Sequence, residues 1–402
     1  MESFHNILYK YRRLVVSCAI LCVVCVAGAQ SLVSLHKYDL DWNVGAGASG
    51  WLVPGTCAYL RGDNPLEKEV NQAFSVGLRA GFCFADGSVV ARNYPGIYQG
   101  VALEVNSFFA RRLLGTPISA YIYQGAPFAR FSQSLWLGYE WQFGATCGWK
   151  EVRYDDDLAP GVVSTRVTAH MGVAMKLHYE VSDGVELAFG VEARHFSNGN
   201  TSWPNSGVNA FGISAGVSYK LGARRERPSA VDATADGAVR RWFYDITVFG
   251  GKRKRAVEVG DPAEIEICPG KFAVAGVQFA PMYRFGHWFA AGAALDLQWD
   301  ESAGLAPYWV DGSSDESLKF YRPPFGKQVS AGISAHAELT VPIFSVNAGL
   351  GLDFVNPKGN KRFYQSLTLK AFITDRLYLN IGYRLGEFKD PQNLMIGLGV
   401  RL

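Results

Sequence analysis

Residues 167–181 read VTAHMGVAMKLHYEV. Successive side chains of a strand point to opposite faces, and read that way the stretch separates into two sets. Val167, Ala169, Met171, Val173, Met175, Leu177, Tyr179 and Val181 make an apolar face, while Thr168, His170, Gly172, Ala174, Lys176, His178 and Glu180 make a small and polar one. A soluble sandwich also alternates, but its polar face meets water and is rarely so rich in Gly, Ser and Ala beside isolated charges. An apolar exterior about ten residues long around a polar interior is the pattern of a transmembrane β-barrel.

The same period recurs outward along the chain. In Leu135–Trp149 the odd positions are Leu135, Leu137, Tyr139, Trp141, Phe143, Ala145, Cys147 and Trp149, and Gly and polar residues dominate between them. Leu377, Leu379, Ile381, Tyr383 and Leu385 alternate with Tyr378, Asn380, Gly382 and Arg384. Connections alternate too: short ones at 131–133, 182–184, 286–287, near Pro342 and at 374–376, longer ones at 151–164, 251–270, 301–327, 356–361 and 386–393. Barrels of this kind have short periplasmic turns and long extracellular loops, so the C-terminal strand is expected to end in the periplasm. The exception is 222–240, a charged stretch with Pro228 that falls on the periplasmic side and separates two halves, 30–221 and 241–402. The expectation is an all-β, antiparallel transmembrane barrel of about sixteen strands, because one closed sheet leaves no edge. Two barrels of about eight strands are the alternative. A single lumen that wide needs water or a plug, for which the irregular segment 46–55 is the candidate.

Composition agrees with export. Lys10, Arg12 and Arg13 precede the apolar run Leu14–Val26, and Ala27-Gly28-Ala29 precedes Gln30, the order of a cleavable signal peptide spanning 1–29. The run is shorter than the roughly 20 residues of a transmembrane helix. Four cysteines follow it, Cys57, Cys83, Cys147 and Cys268, without CxxC spacing. That pattern indicates neither zinc nor a redox motif, and leaves room for one or two disulfides in an oxidising compartment. A net charge of +3 on 402 residues gives no reason to expect nucleic acid. Asp155-Asp156-Asp157 lacks the spaced ligands of a calcium loop, so no metal and no cofactor are expected.

Applied to 185–197, the period places Val185, Leu187, Phe189, Val191, Ala193, His195 and Ser197 on the lipid-facing side and Glu186, Glu192, Arg194 and Phe196 inside. Two polar residues thus end an apolar stripe near the extracellular rim. Asn209 opens the same outer surface on the following strand. Residues two apart on a strand project side by side, so an imidazole can approach a serine hydroxyl, as nucleophilic acyl transfer requires. A serine nucleophile facing lipid has membrane lipid esters within reach.

Arg194-His195-Phe196-Ser197-Asn198-Gly199-Asn200, followed by Pro204-Asn205-Ser206-Gly207-Val208-Asn209, resembles the outer-membrane lipid A 3-O-deacylase family, also called acyloxyacyl hydrolases. The resemblance takes in Tyr94-Pro95-Gly96-Ile97-Tyr98-Gln99-Gly100 and Leu114-Gly115-Thr116-Pro117-Ile118, and covers residues 50 to 221, whereas 241–402 reads as generic barrel. It implies an esterase in the Gram-negative outer membrane that acts on lipid A of lipopolysaccharide by a metal-free Ser-His-Glu triad on the barrel's outer face. By position, Ser197 would be the nucleophile, His195 the general base, Asn205 an oxyanion donor and Asn198 a support for the loop. The departure is Asn209, which stands where the family's smaller enzymes carry Glu. Asn can orient an imidazole but brings no charge to the imidazolium. Glu192 has the wrong parity to replace it, and Glu151 or Asp155 would need their loop to fold over. Lys252, Arg253, Lys254 and Arg255 open a long loop and are candidates for lipid A phosphates. A different class of reading is a porin or structural barrel with a vestigial site.

Overall fold

The structure, a computed structural model, describes residues 38–151, 161–221, 241–259, 264–309, 318–357, 361–388 and 390–402. The expected signal peptide, the 222–240 linker and Asp155-Asp156-Asp157 lie outside them. The chain folds into two compact units, each built on one barrel.

The first barrel comprises β1 (Leu40–Leu52), β2 (Gln72–Phe84), β3 (Tyr98–Ser107), β4 (Gly115–Arg130), β5 (Leu135–Trp149), β6 (Val167–Ser182), β7 (Val185–Ser197) and β8 (Val208–Lys220). It closes where β1 pairs with β8, from Asn43 opposite Lys220 to Leu52 opposite Phe211. The second barrel comprises β9 (Trp242–Arg253), β12 (Phe272–Arg284), β13 (Phe289–Asp300), β16 (Val329–Thr340), β17 (Phe344–Val355), β18 (Phe363–Phe372), β19 (Leu377–Gly386) and β20 (Asp390–Arg401). It closes through β20 and β9, from Ile396 opposite Gly250 to Arg401 opposite Asp245. Its long connections carry two small hairpins, β10 (Ala256–Val259) with β11 (Glu264–Ile267) and β14 (Ala306–Trp309) with β15 (Leu318–Tyr321).

The single sixteen-strand barrel is therefore corrected in favour of the two-barrel alternative. Edge satisfaction, the reason for expecting closure, is met within each set of eight, so no edge is left to join the halves. The plug falls with it, because Ala46–Leu52 is part of β1. The four cysteines are all free, so no disulfide forms among them.

The period-two reading holds in detail. Val173, Met175 and Val181 are exposed on the outside of β6, whereas His170, Lys176 and His178 are buried inside. Eight-strand barrels are just wide enough for side chains to fill, and here charged groups fill them in pairs. In the first barrel Lys176 Nζ lies 2.9 Å from Glu140 and 3.2 Å from Glu192, Arg79 lies 2.6 Å from Glu140, and Arg194 bridges Glu192 and Glu104. In the second, Lys370 Nζ sits 2.7 Å from Asp245 and 2.6 Å from Glu338, and Arg401 contacts the same two carboxylates. Removing one member of such a set strands a buried charge, which costs about 3–5 kcal/mol. Lys370→Met is accordingly expected to lower the urea midpoint of the folded, fast-migrating form on unheated gels. An unchanged midpoint would show that the network does not carry stability.

Candidate active site

The C-terminal end of β7 is set by an aromatic anchor. Phe196 points into the first barrel, with its ring 5.2 Å from His170, 5.6 Å from Trp149 and 6.3 Å from Phe108. It is 2% exposed. Because neighbours on a strand take opposite faces, His195 and Ser197 lie on the face of β7 opposite to the inward Phe196. They continue the stripe whose exposed members include Phe189 and Val191.

β7 and β8 place His195 directly opposite Asn209. Their side chains meet, with His195 Nδ1 2.7 Å from Asn209 Oδ1. An amide oxygen only accepts, so Nδ1 carries the proton and donates, leaving Nε2 with the lone pair. This is the tautomer a general base needs. Ser197, two residues along, ends β7 and is buried.

The loop from β7 to β8 is held by its asparagines. Asn205 Oδ1 accepts from the Asn198 backbone N–H at 3.0 Å, which commits the amide oxygen and leaves the Asn205 NH2 as a donor. Asn198 Nδ2 donates to the Ser202 carbonyl at 2.8 Å and to Ser164 Oγ at 3.3 Å. The Asn198 backbone carbonyl accepts from Thr201 Oγ1 at 2.8 Å. The far end of the loop is tied by Gly207 N–H donating to the Val162 carbonyl at 3.1 Å. Ser164 and Val162 were not singled out from the sequence: a short Val-Val-Ser after a long connection carries no periodic signal. Ser164→Ala is expected to loosen Asn198 and raise hydrogen exchange at its amide, with Ser164→Thr restoring protection.

Of the alternative acids, Glu192 points inward, ion-paired to Lys176 and Arg194, Glu151 pairs with Arg166 at 3.4 Å, and Asp155 lies outside the described residues. The basic run does not act as one patch. Arg253 is buried and bound to Asp300, with its Nε donating to Ser302 Oγ at 3.1 Å. Lys252 and Lys254 remain exposed and Arg255 is half-buried. Within β9 strand parity separates Arg253 from Lys252, and Lys254 and Arg255 follow the end of the strand.

Comparison with known proteins adds two family matches. Residues 162–218 match the model described as "Lipid A 3-O-deacylase (PagL)". Residues 242–402 match "Acyloxyacyl hydrolase, C-terminal domain". The second half is thus more than the generic barrel its sequence pattern indicates, and the two matches together span over half of the chain. No curated protein matches. Among solved structures the chain is similar to the neisserial surface protein A, at 13% identity over 45% of this chain and 97% of that one, with a TM-score of 0.30. It is also similar to the Ralstonia pickettii toluene transporter TbuX, at 8% identity over 92% and 89% of the two chains, with a TM-score of 0.17. Neither likeness bears on function.

Proposed function

Since the chain belongs to the outer-membrane lipid A 3-O-deacylase (acyloxyacyl hydrolase) family, we propose that it is a serine esterase that removes an ester-linked acyl chain from lipid A of lipopolysaccharide, working from the lipid-facing surface of the first barrel. The observation that carries this reading is the His195–Asn209 hydrogen bond of 2.7 Å, two residues from Ser197 at the C-terminal end of β7.

In this mechanism His195 Nε2 takes the Ser197 hydroxyl proton as Oγ attacks the ester carbonyl. The Asn205 NH2, left as a donor because its own carbonyl is committed to Asn198, donates to the developing oxyanion. Collapse breaks the ester bond, the proton on Nε2 passes to the departing sugar hydroxyl, and the acyl chain remains on Ser197. Water, deprotonated by the same nitrogen, then releases the fatty acid. Asn209 holds the ring through both steps and accepts from Nδ1–H throughout, without adding charge. A substrate already in the outer leaflet reaches such a site by lateral diffusion. Lys252 and Lys254 are the two members of the basic run that remain free to meet lipid A phosphates.

Mass spectrometry of lipid A from outer membranes containing wild type or Ser197→Ala tests the proposal. Loss of one acyl chain with wild type only is expected; identical patterns would leave a structural barrel with a vestigial site. Against a porin function stand the buried, ion-paired side chains inside both barrels.

A further inference from the structure

His195 and Ser197 are held by different means. His195 stands opposite Asn209 in the ladder between β7 and β8, which ends at Phe196 opposite Val208. Ser197 lies one residue beyond that last rung, so on the β8 side its placement passes from the sheet to the turn that follows it. The turn, Asn198-Gly199-Asn200-Thr201, reverses on two residues of positive φ, Gly199 at 61° and Asn200 at 58°, the signs of a type I′ turn. Thr201 closes it, donating to the Asn198 carbonyl from its N–H at 3.3 Å and from its Oγ1 at 2.8 Å.

By its contacts this turn belongs with the second barrel, since Ser197–Gly207 falls in the same compact unit as that barrel. Within the unit the turn rests on two neighbouring strands. The Lys254 backbone N–H, directly after β9, donates to the Thr201 carbonyl at 2.9 Å. Gly199 is buried against Leu394 of β20: a Cβ built on it would stand 2.6 Å from Leu394 Cδ2 and 2.7 Å from Cγ, so the backbone of the turn lies directly on the leucine side chain. β9 and β20 pair where the second barrel closes, with Gly250 opposite Ile396, which brings both contacts to one end of that pair. Leu394 is half-buried, whereas Ile396 and Leu398, the next members of its stripe, are 47% and 51% exposed. Cover by the turn accounts for the difference.

We propose that the second barrel is a positioning element for the esterase site, setting through Leu394 and the Lys254 amide the turn that aims the Ser197 hydroxyl at His195. The role rests on Ser197 being the nucleophile, as proposed above. Attack needs reacting atoms about 3–3.5 Å apart, and a misplacement of about 1 Å can cost about 10²-fold in rate. Leu394 acts only through Gly199, so it is a positioning residue, and its loss should appear in the chemical step rather than in lipid binding.

The test joins kinetics on lipid A with hydrogen exchange, both on the full chain in detergent micelles. Leu394→Ala is expected to lower kcat for fatty-acid release by about 10- to 100-fold with KM unchanged, and to speed exchange of the Lys254 amide; Leu394→Met is expected to restore both. Lys254→Pro, which deletes the amide donor and leaves Leu394 in place, is expected to lower kcat in the same sense. Ile396→Ala, two residues along the exposed stripe, is expected to change neither readout, and mobility on unheated gels reports that each variant is folded. An active wild type whose kcat is indifferent to Leu394→Ala and Lys254→Pro would overturn the positioning role and leave the esterase reading standing. So would a Lys254 amide that exchanges freely in the wild type, or a loss of kcat that Ile396→Ala reproduces. A wild type that releases no fatty acid while the Lys254 amide stays protected would sink the esterase reading, and the positioning role with it.

Discussion

Ser197→Ala is expected to lower the rate of acyl release from lipid A by roughly 10⁴-fold or more, the scale seen when a serine nucleophile is removed from a triad. The substitution deletes one oxygen from a site where neither the His195–Asn209 bond nor the Asn198–Asn205 bond depends on it. Folding should therefore be intact, and the variant should keep the heat-modifiable gel mobility of the wild type. Release of fatty acid by purified protein from detergent-solubilised lipid A gives the rate directly. A variant that retains even a tenth of the activity would sink the covalent mechanism, whatever the family resemblance implies.

The second large effect is expected in the opposite direction. Asn209 already fixes the tautomer of His195, which is the part of a third member's role that geometry alone can supply. What it lacks is charge to stabilise the imidazolium that forms as Ser197 gives up its proton. Hydrogen bonds to charged groups contribute about 1.5–3 kcal/mol against about 1 kcal/mol for neutral ones, and 1.4 kcal/mol is about tenfold in rate. Asn209→Glu is thus expected to raise kcat by about 3- to 30-fold, with KM little changed because the acyl-binding surface is untouched. Asn209→Leu should do the reverse, leaving Nδ1–H without an acceptor. If Glu, Asn and Leu at 209 give equal rates, Asn209 is not the orienting partner and the base is held from elsewhere.

Much of the fold was legible because a strand's two faces are written into alternate residues. The bounds expected for 135–149 and 185–197 are those of β5 and β7, and the inward parity of Phe196 and Glu192 is realised in ring contacts and ion pairs. The pairing of His195 with Asn209 was legible for the same reason, as neighbouring outward positions on consecutive strands. The basic run shows the limit of composition: four consecutive cations look like one patch until parity sends Arg253 to Asp300.

Periodicity was thus enough to determine a membrane barrel, and the His-Phe-Ser-Asn-Gly motif its family, since both are local properties of the chain. Closure was not. Whether β8 returns to β1 or continues into β9 is a choice between partners far apart in sequence that present the same alternating face, so the chain's local pattern is equally compatible with one barrel or two. Only the tertiary structure, in which β1 meets β8 and β20 meets β9, decided it. The same holds for the interior. Which carboxylate faces which cation, Asp353 with Arg384 or Asp300 with Arg253, depends on the register between strands, a relation no single strand encodes.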